Sequence, residues 1–291
     1  MLKKMTIALA LLLAACGPKP PANDADPALW VVKDADTTIY LFGTVHMLKP
    51  GLSWFDEGVK DAFDASDSLV LELVMPPERE MQALVSELGT TTTGPSLPEQ
   101  LPPEAAARIR AALPEYGLAP NALDRAEPWL AATMLSSLPL RQLGYDDADG
   151  AEKVLSDAAA KAGKPVTGLE TAREQLGYFD ALPADAQRAL LIDTLGDLPD
   201  AGATVDRMVA AWSKGDADGL AALMNEDLDR SPELAEKLLA ARNRKWAEWL
   251  VERMQQPGTV FVAVGAGHLA GGQSVQAELA RRGLKVERVE Y

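Results

Sequence analysis

The chain has 291 residues, 43 acidic against 28 basic for a formal charge of −15, with one cysteine and two histidines. That length suits one large domain or two small ones, and a 47% apolar composition fits a folded chain with a core. The acidic balance excludes broad nucleic-acid binding, which needs a basic face to neutralise phosphates, and a single cysteine excludes a disulfide framework or a cysteine-rich zinc module.

Lys3 and Lys4 lead into an apolar run from Met5 to Ala15. At about 11 residues this is near half the roughly 20 that a membrane-spanning helix needs, so residues 1–15 read as a secretory signal. The run ends in Leu13-Ala14-Ala15-Cys16-Gly17, which resembles the bacterial lipoprotein box, where the cysteine is lipidated and becomes the new N-terminus. The alternative is an ordinary signal with a chance cysteine. Residues 16–28, rich in proline, follow as the lipidated cysteine and an extended tether. The expected location is the cell envelope, membrane-anchored by lipid, in the outer membrane or facing the periplasm.

From residue 29 to 291 the pattern predicts one α/β domain. Leu29–Lys33 and Thr37–Phe42 are β-branched and aromatic runs joined by Asp34-Ala35-Asp36, a hairpin. Ser68–Val74 is a third strand and Pro165–Gly168 a short fourth. Thr259–Val264 is a continuous apolar run of the kind found in buried strands, and Leu284–Glu290 alternates as a half-exposed closing strand. Residues from about 76 to 257 are mostly helical and punctuated by prolines. Among them, Asp149–Ala162 is an Ala-rich helix, and Ser231-Pro232 opens a helix running to about Gln255. Val275–Arg282 is the last helix. The fold expected is a mixed central sheet built from both chain ends with a large helical middle.

Both histidines stand in one context. Ile39–Phe42 leads to Gly43-Thr44-Val45-His46, and Phe261–Val264 leads to Gly265-Ala266-Gly267-His268. Each is strand, glycine, two residues, histidine. Glycine permits a tight exit from a strand, including positive φ, and the histidine then sits at the C-terminal strand edge where open α/β sheets bind ligands. If the two strands are parallel neighbours, both imidazoles face one crevice; the alternative is two structural histidines.

Two imidazoles need carboxylates to complete a metal site. Glu72 lies inside the apolar strand Leu69–Val74, where a carboxylate demands a partner or a cation, unless the strand is an edge and Glu72 faces water. Glu170 follows Gly168-Leu169 and serves equally well as a helix cap. Arg242 and Asn243 sit mid-helix beside Trp246 and Trp249, on a partly buried face or in a solvated charge cluster. The sequence contains no HExxH zinc helix, P-loop, first-turn GxGxxG or GxSxG elbow.

Together these segments resemble the TraB/GumN family, which includes the Tiki proteins. The matching pieces are Leu41–His46 (LFGTVH), Glu72, Gly168-Leu169-Glu170-Thr171 with Gln175, Arg242-Asn243, Phe261–Gly271 (FVAVGAGHLAG) and Gly283–Val286, in the family's order. The resemblance implies a metal-dependent hydrolase fold related to erythromycin-esterase-like and ChaN-like proteins, with a peptide or protein as substrate. It implies catalytic roles for His46, Glu72 and His268; metal ligation by His46, Glu72, Glu170 and His268; and supporting roles for Gly43, Gly265, Arg242 and Asn243. The expected cofactor is a divalent ion, Mn, Co, Fe or Zn. Arg242 or Asn243 is expected to stabilise a developing oxyanion. The alternative function is a haem- or metal-binding envelope lipoprotein without turnover.

Overall fold

A computed structural model describes residues 23–228 and 232–291. Six strands form one mixed sheet: β1 (Leu29–Lys33), β2 (Thr37–Thr44), β3 (Ser68–Leu73), β4 (Val166–Glu170), β5 (Gly258–Gly265) and β6 (Glu287–Arg288). Their order across the sheet is β4-β3-β5-β2-β1-β6. The β1–β2 hairpin is closed by Asp34, whose Oδ1 accepts the N–H groups of Asp36 at 3.1 Å and Thr37 at 2.9 Å, the short-range turn bond that aspartate favours.

β2, β5, β3 and β4 run parallel. In the central pair Thr37 lies opposite Gly258 and the register runs through to Thr44 opposite Gly265, so both G-x-x-H segments leave the sheet at the same edge. Side chains alternate between two faces. Phe261 and Ala263 of β5 join Phe42, Leu69 and Leu71 on one face, while Val260, Val262 and Val264 join Ile39, Leu41 and Val70 on the other. Burial on both faces is why β5 reads as an unbroken apolar run.

The helices, in chain order, are α1 (Glu57–Ala65), α2 (Glu78–Gly89), α3 (Pro103–Glu115), α4 (Pro128–Gln142), α5 (Ala151–Ala162), α6 (Ala172–Asp180), α7 (Ala184–Asp197), α8 (Ala201–Trp212), α9 (Ala217–Leu228), α10 (Pro232–Ala235), α11 (Ala241–Arg253) and α12 (Val275–Arg281). Val59 and Phe63 of α1 and Leu155 of α5 cover the first face of the sheet, and Trp246 and Leu250 of α11 with Leu279 of α12 cover the second. α3, α4 and α7 enclose a separate apolar cluster around Ile109, Leu113, Trp129 and Leu191. The α/β architecture with a helical middle is therefore as expected, and the middle has a core of its own.

Three details differ. The closing strand is only two residues long, pairing with β1 at Trp30 and Val31, and Val289 N–H donates to the Leu29 carbonyl at 2.9 Å. Residues 23–28, expected in a solvated tether, pack against the domain: Ala25 is buried, and the N–H groups of Ala25 and Asp26 donate to Ser53 and Ser213 carbonyls at 2.8 Å. The helix expected from Ser231 onward carries a π turn at Glu236–Ala240 between α10 and α11. The signal segment, Cys16 and the Ser231 cap lie outside the described residues. Among the described residues no helix is long and apolar enough to cross a membrane.

Candidate functional site

The two strand-end glycines are required for close approach, not for unusual backbone angles; neither has a positive φ. A methyl group at Gly43 would stand 3.0 Å from Ala266 Cα, so the two G-x-x-H loops press against each other. A methyl at Gly265 would stand 3.0 Å from Glu72 Oε1, 3.7 Å from His268 Cδ2 and 4.0 Å from His46 Cε1. Gly265 is thus the point on which the two histidines and Glu72 converge.

His268 is buried, with its ring 4.3 Å from that of Trp246. Its Nδ1 lies 2.6 Å from Asn243 Oδ1, while Asn243 Nδ2 donates to the Gln273 carbonyl at 2.7 Å. Because the amide oxygen can only accept, Nδ1 carries the proton and Nε2 presents a lone pair. Burial pushes His268 down to about 3, with Glu72 opposing and Arg242 assisting; the ring is neutral at ordinary pH. Its Nε2 is 3.7 Å from Glu72 Oε1 and 3.1 Å from Arg242 Nη1.

Glu72, near the C-terminal end of β3, is bonded through both oxygens. Oε1 accepts the Gly265 N–H at 2.6 Å; Oε2 accepts from Arg242 Nη2 at 2.6 Å and from Gln175 Nε2 at 3.1 Å. Burial opposes its ionisation, yet the surrounding positive groups and the Gly265 N–H outweigh it and hold the carboxyl below the usual range. Of these groups the guanidinium of Arg242, that N–H and His46 still favour the charged form when His268 is neutral.

Glu170 is fully enclosed at the end of β4. Its Oε1 accepts from Trp246 Nε1 and Tyr178 Oη, both at 3.1 Å, and from Arg242 Nε at 3.0 Å. Its Oε2 accepts from Arg242 Nη2 at 2.8 Å and Gln175 at 3.1 Å. A guanidinium has five N–H groups, and all those of Arg242 are engaged: Nε on Glu170, Nη1 on the Leu238 carbonyl and His268, Nη2 on Glu72 and Glu170. In this arrangement Arg242 has no N–H free for a substrate oxyanion, and Asn243 is fully buried with Oδ1 on His268 and one N–H on the Gln273 carbonyl. Their place is to hold Glu72, Glu170 and His268.

His46 is the exposed member, 72% open to solvent along its side chain. Its Nδ1 lies 2.6 Å from Glu152 Oε1, and the Thr44 hydroxyl donates to the same oxygen at 2.5 Å. The bond to Glu152 and that residue's charge raise His46 to about 9. In turn burial opposes ionisation of Glu152, and the His46 and Thr44 bonds hold it ionised. Sequence patterning does not single out Glu152 or Thr44; an acid in the first turn of a helix is too common to signal a site. Gly150 places Glu152, because a side chain there would overlap the His46 carbonyl oxygen, and Ala151 N–H donates to the Val45 carbonyl at 3.0 Å. His46, Glu72, Glu152, Gln175, Val74 and Met75 line a cleft of about 560 Å³.

Among the described residues, no three His, Cys, Asp or Glu side chains stand at metal-ligating spacing. Glu72 and His268 are the pair of donors beside Gly265 that could share an ion. Each imidazole has Nδ1 against an oxygen, the arrangement that orients metal-bound histidines, and Glu72 Oε1 lies 3.7 Å from His268 Nε2, within reach of one ion held at about 2.1 Å by each. The His268 lone pair faces Arg242, so ligation requires that contact to open. Glu170 has both oxygens committed to other donors.

A model of the TraB/PrgY/gumN family matches residues 28–288. The chain belongs to this family. It is 25% identical over 249 residues to the uncharacterized protein YbaP of Escherichia coli (strain K12), covering 84% of this chain and 89% of that protein, and equally to YbaP of Shigella flexneri. It is 24% identical over 275 residues to an uncharacterized protein of Treponema pallidum (strain Nichols), covering 88% and 80%. No solved structure matches the chain significantly.

Proposed function

We propose that this TraB-family chain is a metal-dependent hydrolase of the cell envelope, lipid-anchored through Cys16 and acting on peptides. The observation supporting this most is the convergence of His46, Glu72 and His268 on Gly265, with the Nδ1 atom of each imidazole fixed by an oxygen.

His46, Glu72 and His268 would hold the ion, and their mixed nitrogen and oxygen donors suit Mn, Co, Fe or Zn. A divalent ion bound there would supply Lewis acidity toward a scissile carbonyl and toward a water molecule. Glu170, saturated by its donors, anchors Arg242 in this reading and is not a ligand. Arg242 keeps Glu72 ionised, Gln175 links Glu72 to Glu170, and Asn243 fixes the His268 tautomer. Glu152 fixes His46 through Nδ1. His46 Nε2 has no hydrogen-bond partner among the described residues and faces reactants as ligand or proton carrier.

The test is a cleavage assay of the mature chain on a peptide library with added Mn or Co, with and without chelator. Cleavage that a chelator stops, and that falls by about 100-fold or more in the His46→Ala, His268→Ala double variant, is the expected result. Full activity in the double variant removes the mechanism.

A further inference from the structure

The sheet ends at β4, and among the described residues no further strand pairs with its outer side. Beyond the ladder with β3, which begins where Leu69 N–H donates to the Pro165 carbonyl, no backbone hydrogen bond reaches residues 166–169 among the described residues. Thr167 and Gly168 are exposed. Proteins usually blunt such an edge with lysine, proline, a bulge or a covering element. Lys164 and Pro165 stand only at its N-terminal end; Val166-Thr167-Gly168-Leu169-Glu170 itself carries no lysine or proline, and pairing with β3 runs without a bulge. Gly168 itself serves the pairing with β3, since a methyl there would stand 3.1 Å from Val74 N and 3.5 Å from Leu73 Cα.

Alongside β4 lies a cavity of about 650 Å³, walled by Gly168, Leu169, Glu80, Ala83, Leu84 and Val74. Val74 also lines the cleft that holds His46 and Glu72, so the edge groove and the candidate site meet at one residue. Val74 is 45% and Met75 67% exposed, an apolar step at that junction. The groove is acidic. Glu80 has no partner among the described residues, Glu87 is paired to Arg173, and Glu174 to Lys245.

We propose that the open edge of β4 is a docking strand for an extended peptide, which adds to the sheet through backbone hydrogen bonds and leads into the cleft past Val74. Strand addition draws affinity from the main chain and selectivity from alternate side chains. Here the selected pattern is apolar toward Leu84 and Val74 and basic toward Glu80. A second copy of the chain is a poor occupant: it carries −15 and would set the same carboxylates against each other. The fate of a docked peptide rests on the peptidase reading, although binding itself requires no catalysis.

The probe is a fluorescein-labelled peptide of about ten alternating valine and lysine residues, followed by anisotropy with the purified mature chain. Two further peptides carry N-methyl groups on one or the other parity of backbone amides. The parent peptide is expected to bind with Kd below about 1 mM. One methylated parity binds like the parent and the other at least about tenfold more weakly, since only one parity faces β4. Ala83→Trp, on an exposed helical position, abolishes binding with the circular dichroism melt unchanged. Glu80→Lys weakens the lysine peptide and favours a valine–glutamate one. Equal binding of both methylated peptides, unchanged binding in Ala83→Trp, or no anisotropy change up to about 1 mM overturns the proposal. Docking without cleavage sinks only the hydrolase reading, while cleavage indifferent to Ala83→Trp and to methylation sinks only the docking strand.

Discussion

Arg242 is the cation of a buried cluster in which two carboxylates and a neutral imidazole turn toward one guanidinium. Removing one partner of a buried ion pair leaves the other uncompensated, at a cost of about 3–5 kcal/mol. Arg242→Met is expected to lower the unfolding free energy by about that amount in urea titrations. Arg242→Lys recovers only part, because an ammonium cannot reproduce the planar fork that spans Glu72 and Glu170. A variant as stable as the parent would show that the cluster contributes little. The histidines diverge for opposite reasons: His268 is lowered to about 3 chiefly by burial, and His46 raised to about 9 chiefly by Glu152. With only two histidines in the chain, NMR of the metal-free protein reads both. One ring is expected to titrate near 9 and the other to stay neutral well below the ordinary histidine value of about 6.5. Two midpoints near that ordinary value would contradict the site's electrostatics.

α5 is the element that turns His46 from a strand-end histidine into half of an acid–imidazole pair. Its first turn is pressed against the loop after β2, with Gly150 lying under the His46 carbonyl and Ala151 bonded to Val45. Gly150→Ala must push α5 away, so it is expected to return the His46 midpoint from about 9 toward about 6.5 while leaving His268 unmoved. Because His46 is raised in the folded protein, the pair's contribution is complete below about 6.5 and fades as pH climbs through 9. Glu152 is lowered, so its share fades at the acidic end. The ring is too exposed for this to move stability far, and the NMR midpoint is the sensitive readout. Legibility in the sequence follows the same physics. β1, β2, β3 and β5 announce themselves because burial demands a pattern of apolar residues, and the repeated strand-G-x-x-H context identifies His46 and His268. Glu152, Gly150 and Tyr178 leave no trace, since each acquires meaning only from an element far away in sequence. The π turn at Glu236–Ala240, which immediately precedes the helix presenting Arg242 and Asn243, is equally silent, although π turns recur at functional sites.

At the scale of the whole molecule, the charge of −15 draws any divalent cation toward the surface, and salt screens that attraction over about 10 Å at 0.1 M. Metal binding alone therefore does not establish a site; binding that depends on the two histidines does. An ion that binds only the folded chain raises its unfolding free energy, by about 2.7 kcal/mol when present at a hundred times its Kd. Thermal unfolding with Mn, Co or Zn is expected to show such a gain in the parent, to lose it with chelator, and to lose it in the His46→Ala, His268→Ala variant measured against that variant's own metal-free melt. Diffuse association with surface carboxylates would instead stabilise parent and variant alike and vanish at high salt. An equal gain in both proteins would assign the ion to the acidic surface and leave the convergence on Gly265 without a metal to hold.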